Sequence, residues 1–397
     1  MKKIEKRAIM CLLMGLVLLV GVGIFSYRYV VDGPTWVAYE GNRDVYTNSD
    51  LSMGALYDKH GELLMKNTKD GMKYHDNRSV RSALMHITGD KDNNISTGAN
   101  RAFSDELIGY DLVNGVYSLN KQGTDIKLTL DSSVCATAYE ALGDRKGCVG
   151  VYNYKTGEIV CMVSTPTYDP ANPPKVTADD ASGVYINRFT SAKFVPGSTF
   201  KVLTAAAALE TLDNAESITT KCGGVEDYGH GDKVTDLSVH GTVDMKKALE
   251  VSCNIYFGHL AEEVGAGTLE KYVGKAGLDH SYNIDGIETA KGTFEYPKKG
   301  INLAWTGIGQ NKDMVNPCSM MVFMGGIANG GTAVEPTIVI HDSWWDQMKE
   351  KLPWFETVGV KTKNMIEPST AQTLKGMMAN NVENHYGKNM FPGLNVC

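Results

Sequence analysis

The chain has 397 residues, 43% of them hydrophobic and 21% charged, and its formal net charge is −7. This length and composition are those of a globular protein with room for more than one domain and a buried core. The acidic balance, with no basic block beyond the extreme N-terminus, argues against nucleic acid as a partner.

An uncharged and mostly apolar segment, residues 8–27, follows a basic N-terminus. Its length suffices for one transmembrane helix of about 20 residues. Because Lys and Arg dominate residues 1–7, the positive-inside rule predicts a cytoplasmic tail there and places the residues after Tyr27 on the extracytoplasmic side of the membrane. A cleaved signal peptide is the alternative, but its apolar core would be about 7–15 residues long. We therefore predict an uncleaved, single-pass membrane anchor.

Residues 28–122 have a polar composition, with Gly, Asn and Asp scattered among short apolar runs. Within them, residues 55–64 have the pattern of a β-hairpin. We identify no chemistry in this region. We predict a small extracytoplasmic module, followed by a second domain over residues 123–397.

Strand patterns come first in this second domain, and helical patterns follow them. The strand patterns cover residues 126–130, 148–152 and 159–163. The helical patterns cover residues 198–212, 244–249, 269–276, 317–327 and 369–380. This order predicts an α+β fold with helices packed against an antiparallel sheet.

The eight cysteines and nine histidines show no metal-binding spacing, since neither Cys-x-x-Cys nor His-x-x-x-His occurs. We therefore expect no metal, and we find no phosphate loop or dinucleotide motif that would indicate another cofactor. An oxidising compartment would permit a disulfide between Cys148 and Cys161 across a hairpin. No framework spacing supports one, so we interpret most cysteines as small buried hydrophobic residues.

A Ser-x-x-Lys sequence, from Ser198 to Lys201, stands at the predicted start of a helix directly after Pro196-Gly197. The backbone N–H of Ser198 would be one of the unpaired donors of the first turn, available to an oxyanion. Lys201 lies on the same helix face, and a desolvated lysine can act as the base that activates a serine. The alternative is an N-cap serine followed by a surface lysine.

A Ser-x-Asn sequence, Ser252 to Asn254, lies between two short helical patterns. Its hydroxyl could relay a proton to a leaving amine, and its amide could hold a peptide group of a substrate. Both short motifs also occur elsewhere, as Ser118-x-x-Lys121, Ser118-x-Asn120 and Ser281-x-Asn283. We interpret those copies as polar loops.

With these two motifs together, the chain resembles the penicillin-binding proteins, and among them the monofunctional class B D,D-transpeptidases. The resemblance begins at residue 123, where residues 123–131 resemble the first strand of the family's catalytic domain and residues 150–160 its first hairpin. Residues 306–310 and 329–332 also resemble family segments. The resemblance implies the penicillin-binding or serine β-lactamase-like fold.

One family motif, Lys-Thr-Gly after the second motif, does not occur in this sequence. Lys155-Thr156-Gly157 comes before Ser198, and its setting predicts a hairpin turn. In the family the third motif would fall at or just beyond Cys397, so we interpret the chain as truncated before it.

The resemblance implies an acyl-serine transferase that cross-links peptidoglycan stem peptides. Ser198 would be the nucleophile, Lys201 its base, Ser252 the proton relay and Asn254 a substrate-binding residue. β-Lactams would be covalent inhibitors, and division or elongation proteins would be partners. The alternatives are a D,D-carboxypeptidase or β-lactamase, in which water accepts the acyl group, and a catalytically incomplete fragment or scaffold.

Overall fold

The computed structural model describes residues 2–37, 53–68, 71–92, 94–95, 97–109, 123–176, 182–340, 362–394 and 396. The helices are α1 Lys2–Val37, α2 Arg78–Ala83, α3 Met85–Thr88, α4 Ala99–Ala102, α5 Ser104–Ile108, α6 Ser132–Leu142, α7 Arg188–Ser191, α8 Lys201–Thr211, α9 Met245–Glu250, α10 Asn254–Val264, α11 Ala266–Lys275, α12 Ile301–Ile308, α13 Pro317–Ala328 and α14 Pro368–Asn381. The strands are β1 Ala55–Tyr57, β2 Leu63–Thr68, β3 Gly71–Tyr74, β4 Ile126–Lys127, β5 Gly147–Tyr152, β6 Ile159–Thr165, β7 Thr220–Cys222, β8 Val225–Gly229, β9 Asp232–Thr235, β10 Gly241–Val243, β11 Asn283–Ile284, β12 Ile287–Glu288, β13 Thr332–Val334 and β14 Thr362–Asn364.

The N-terminal helix α1 contains the apolar segment predicted to cross a membrane. The stretch Ile4–Tyr29 has a mean hydropathy of 2.8, and its most apolar residues are not buried against the rest of the described protein. A helix of 26 residues is about 39 Å long at 1.5 Å per residue, which is sufficient to span a bilayer. This supports a membrane anchor.

A four-stranded sheet in the order β3-β2-β1-β4 joins the two regions that the sequence separated. Its first three strands form the predicted hairpin and one further strand, all antiparallel, whereas β4 pairs parallel to β1. The carboxylate of Asp58, just after β1, accepts hydrogen bonds from Ser132 at the start of α6. The boundary at residue 122 stays a prediction, but the two sides share this sheet.

The α+β fold predicted from the sequence is confirmed, and several predicted elements lie where expected. The hairpin of β5 and β6 is antiparallel, and helices α8, α9, α11, α13 and α14 match the five helical patterns to within a few residues. The pairing of Val151 with Cys161 and of Cys148 with Ser164 shows that the two hairpin cysteines do not face each other. Both are free thiols.

Helix α8 lies in the centre of the core. Residues 201–208 are all buried, and four of them are alanines. Alanine favours helix formation and lets neighbouring helices approach closely, and here α10, α11, α12 and α14 contact α8. The hydroxyl of Thr204 is satisfied by the carbonyl of Gly307, 2.7 Å away. The core therefore fixes the helix that begins at the candidate nucleophile.

Candidate active site

Ser198 lies in a 3₁₀ turn, Gly197–Phe200, that leads directly into α8. The turn is anchored on both sides. Gly197 has φ +56° and donates its N–H to the carbonyl of Gly309 at 2.8 Å, while the ring of Phe200 is buried and lies 5.8 Å from the ring of Phe294. Ser198 itself is exposed, so its hydroxyl lies at the protein surface on a firmly held turn.

The ammonium group of Lys201 is surrounded by neutral oxygen atoms. Its Nζ donates to the Ser252 carbonyl at 2.6 Å, to the Asn254 Oδ1 at 2.7 Å and to the Ser252 hydroxyl at 3.1 Å. The side chain is only 1% exposed, and Nζ lies 5.7 Å from the centre of the Phe257 ring. Burial lowers the pKa of Lys201 to about 8, although the negative charge of Asp236 opposes this shift. A neutral lysine is therefore accessible near physiological pH.

Ser252 joins the two motifs. Its hydroxyl donates to the Ser198 hydroxyl at 2.9 Å and accepts from Lys201. Ser252 has φ +57°, in the left-handed region that a non-glycine residue adopts at a cost of about 1–2 kcal/mol. This conformation, between α9 and α10, brings both its carbonyl and its hydroxyl to Lys201. Ser198 and Lys201 are thus connected through Ser252 rather than by a direct hydrogen bond among the described contacts.

Asn254 is the first residue of α10, and both ends of its amide are engaged. Its Oδ1 accepts from Lys201, and its Nδ2 donates to the carbonyl of Thr235 at 2.8 Å. The carboxylate of Asp236 accepts the backbone N–H of Asn254 at 2.7 Å and that of Ile255 at 3.2 Å. Asp236 therefore stabilises the N-terminus of this helix.

Sequence reasoning missed Asp236, because it lies 16 residues before Ser252 in a polar segment with no helical or strand pattern of its own. Burial alone would raise the pKa of Asp236, but hydrogen bonds from Asn254, Cys253 and Ile255 hold it below its usual value. Cys222, His240 and Cys253 also lie around this carboxylate. These four side chains could hold a metal ion.

The other copies of the short motifs fall outside this site. Lys155-Thr156-Gly157 forms the turn between β5 and β6, as predicted, with the Asn153 side chain accepting the N–H of Lys155 at 2.9 Å. Ser281 donates to Glu288 at 3.0 Å beside the short β11–β12 hairpin. The copies at residues 118–121 lie outside the described residues. The Lys-Thr-Gly motif expected beyond the last residue stays a prediction.

Comparison with known proteins identifies the family. Residues 147–396 match the family model of the penicillin binding protein transpeptidase domain. The chain belongs to the penicillin-binding proteins. This penicillin-binding protein is 28% identical over 316 residues to the peptidoglycan D,D-transpeptidase PbpA of Mycobacterium tuberculosis, covering 73% of this chain and 63% of that protein. It is 29% identical over 290 residues to the stage V sporulation protein D of Bacillus subtilis, covering 69% and 43% respectively. The class B assignment is confirmed.

The fold of this penicillin-binding protein is also found among solved structures. The imipenem acyl-enzyme complex of penicillin-binding protein A from M. tuberculosis superposes with a TM-score of 0.73, covering 87% of this chain and 85% of that one at 23% identity. This shows a common fold. The chain spans about two thirds or less of the length of the curated relatives named above, at 63% and 43%.

Proposed function

We propose that this protein is a peptidoglycan D,D-transpeptidase that works through an acyl-serine intermediate on Ser198. The observation that carries the proposal is the hydrogen-bonded series Ser198, Ser252, Lys201, with 2.9 Å and 3.1 Å between successive polar atoms. A buried lysine with a lowered pKa at its end is a suitable proton acceptor.

In the first step Ser198 attacks the carbonyl carbon between two terminal D-alanines of a stem peptide. When Lys201 is neutral, both hydrogen bonds of the series reverse, so that Ser198 donates to Ser252 and Ser252 donates to the lysine amine. The Ser198 proton then passes through Ser252 to Lys201, and the same relay returns a proton to the departing D-alanine. An amine from a neighbouring stem peptide then attacks the acyl-serine and gives up one proton to Lys201 through Ser252. The relay returns this proton to the Ser198 oxygen as its bond to the acyl carbon breaks, which releases the cross-linked product and free Ser198. Asn254 orients Lys201 through its Oδ1, and the second N–H of its Nδ2 group, next to the one donated to Thr235, would donate to the substrate peptide.

The same chemistry makes Ser198 the expected target of β-lactams, whose strained amide resembles the substrate bond. The named activity of PbpA and the acyl-enzyme form of its structure support this proposal. The apolar helix α1 would be a single-pass anchor that places the site outside the cytoplasm, where peptidoglycan lies. Division or elongation proteins would be its partners there.

The test is acylation of the full chain, purified in detergent, by benzylpenicillin. Intact mass and peptide mapping should place one adduct on Ser198, and the adduct should be absent from Ser198→Ala but present in the control Ser281→Ala. The absence of any adduct would favour the catalytically incomplete alternative.

A D-alanyl thioester substrate, offered with D-amino acid acceptors, separates the remaining activities. Transfer to the acceptor supports the transpeptidase, whereas hydrolysis alone would indicate a carboxypeptidase, and rapid release of the penicilloyl group a β-lactamase.

A further inference from the structure

The aromatic ring of Phe257 lies against the ammonium group of Lys201. Phe257 stands near the start of α10, three residues after Asn254, and it is 0% exposed. The Lys201 Nζ lies over the face of this ring, 5.7 Å from its centre. This separation is within the roughly 6 Å over which the electron-rich face of an aromatic ring attracts a cation. The candidate base therefore has an aromatic neighbour that neither short motif includes.

Hydrogen bonds already engage the N–H donors of Lys201. A lysine ammonium has three donors and no acceptor, and three oxygen atoms accept from Nζ, namely the Ser252 carbonyl, the Ser252 hydroxyl and the Asn254 Oδ1. An aromatic face attracts a cation without requiring a further hydrogen bond. Phe257 therefore adds to these contacts and does not compete with them.

The groups in contact with Nζ are uncharged, whereas two titratable groups act on it from further away. These are Asp236, from the connection between β9 and β10, and Cys253, directly before α10. The carboxylate of Asp236 accepts the backbone N–H groups of Asn254 and Ile255, and burial raises the pKa of Cys253. A phenyl ring has no proton to gain or lose, so its effect on Lys201 does not change with pH.

The ring and its buried setting act on the lysine in opposite directions. Burial disfavours the charged amine and lowers the pKa of Lys201 to about 8. The ring face favours the charged amine, because its negative quadrupole attracts the ammonium. In acyl transfer Lys201 begins neutral and becomes charged when the serine proton arrives. A ring that attracts only the charged form would therefore favour this step.

From this geometry we propose that Phe257 is a positioning residue for acyl transfer, whose ring stabilises the Lys201 ammonium that forms when Lys201 accepts the Ser198 proton through Ser252. The proposal rests on the proposed function, since it requires Lys201 to be the proton acceptor. Phe257 acts through Lys201 and does not itself contact the reacting atoms.

The test removes the ring and keeps the site apolar. Phe257→Leu leaves at most a small apolar void, which stays dry, so Lys201 remains buried and loses only the attraction of the ring. The midpoint of the pH–rate profile for acylation by benzylpenicillin should move to lower pH by about 0.5–1.5 pH units. The rate above the midpoint should also fall, because a weaker base accepts the proton less readily.

Two further variants separate this effect from a loss of packing. Phe257→Met, which fills the site with a more flexible apolar chain, should move the midpoint in the same direction. Phe323→Leu changes another buried phenylalanine, on α13, and should leave the midpoint where it is in the wild type. A rate that falls equally at every pH in both Phe257 variants would indicate packing alone and would overturn the proposal.

A second measurement does not depend on enzymatic activity. Carbon-13 NMR of the full chain, purified in detergent and labelled at the lysine Cε, follows the titration of Lys201 directly, and Lys201→Arg assigns the signal by its absence. The midpoint should fall in Phe257→Leu by the same amount as in the kinetic profile. An unchanged or higher midpoint in both Phe257 variants would overturn the proposal. If the wild type formed no penicilloyl adduct, the proposed function would fail instead, and this titration would still decide whether the ring acts on Lys201.

Discussion

The Ser252 hydroxyl lies 2.9 Å from the Ser198 hydroxyl, and the Lys201 ammonium contacts Ser252 from the other side at 3.1 Å. Residues 54 positions apart in the sequence therefore form one proton path. Because Ser252 stands in the middle of this path, the protonation state of Lys201 should control acylation of Ser198.

Replacement of Lys201 should slow acylation strongly. We expect Lys201→Ala to reduce the rate of benzylpenicillin acylation by about 10²–10⁴-fold, the usual contribution of a positioned general base. Lys201→Arg should be comparably slow, because a guanidinium keeps its proton at neutral pH. The rate is measured by intact mass over time. An Arg variant that acylates at the wild-type rate would show that Lys201 acts by charge alone.

The rate of acylation should rise with pH. Since burial lowers the pKa of Lys201 to about 8, the neutral, reactive form is a minority below that value and dominates above it. We expect the rate to increase about tenfold per pH unit well below pH 8 and to level off above it. The slow residual rate of Lys201→Arg provides the control and should lack this transition. A wild-type profile that is flat between pH 6 and pH 9 would contradict the assignment of Lys201 as the base.

Asn254→Asp should move that transition to higher pH. The substitution places a carboxylate where the Asn254 Oδ1 now lies, 2.7 Å from the Lys201 ammonium, and so favours the charged form of the lysine. At pH 7 acylation should be slower than in the wild type, and it should recover as the pH is raised. Asn254→Ala, which adds no charge, should slow the reaction without this shift. If the midpoint of the pH–rate profile were the same in Asn254→Asp as in the wild type, the prediction would be contradicted.

Gly309→Ala should damage both stability and acylation. Gly309 has φ +82°, and a Cβ atom there would lie 2.3 Å from the Gly197 carbonyl oxygen and 2.4 Å from Phe200 Cβ. Overpacking and the left-handed conformation together should cost about 2–5 kcal/mol of the free energy of unfolding. Gly376→Ala is the matched control, because its helical site is open and should gain about 0.5–1 kcal/mol. Denaturant unfolding measures both variants, and equal midpoints would refute the prediction.

Asp313 should make the protein less stable as the pH rises. Its side chain is 0% exposed, and burial raises its pKa from 3.8 to about 8. Because the folded state binds the proton more tightly than the unfolded state, stability from this group is complete below about pH 4 and is lost as the pH rises through about 8. Asp313→Asn should remove this part of the pH dependence of the melting temperature. If the melting temperatures of the two proteins changed with pH in the same way between about pH 4 and pH 9, the prediction would be wrong.

Local sequence patterns predicted much of this fold, because helix periodicity and turn formation depend on residues that are close together in the chain. The periodicity of residues 317–327 and of residues 369–380 located α13 and α14 to within a residue or two, and Pro196-Gly197 marked the turn before Ser198. The two short motifs, taken with the helical patterns around them, also indicated the four candidate site residues. The link from Ser198 to Lys201 through Ser252 could not be predicted from these patterns, because it depends on the left-handed conformation of Ser252.

The sequence by itself determined the apolar anchor segment, the α+β order of elements and the two short motifs, because each is written in consecutive or regularly spaced residues. Only the tertiary structure decided that Ser252 links Ser198 to Lys201, how far the pKa of Lys201 falls, and that Asp236 supports Asn254. It alone brought Cys222, Asp236, His240 and Cys253 together. These features depend on contacts between segments far apart in the chain and on burial, and neither is encoded in local spacing.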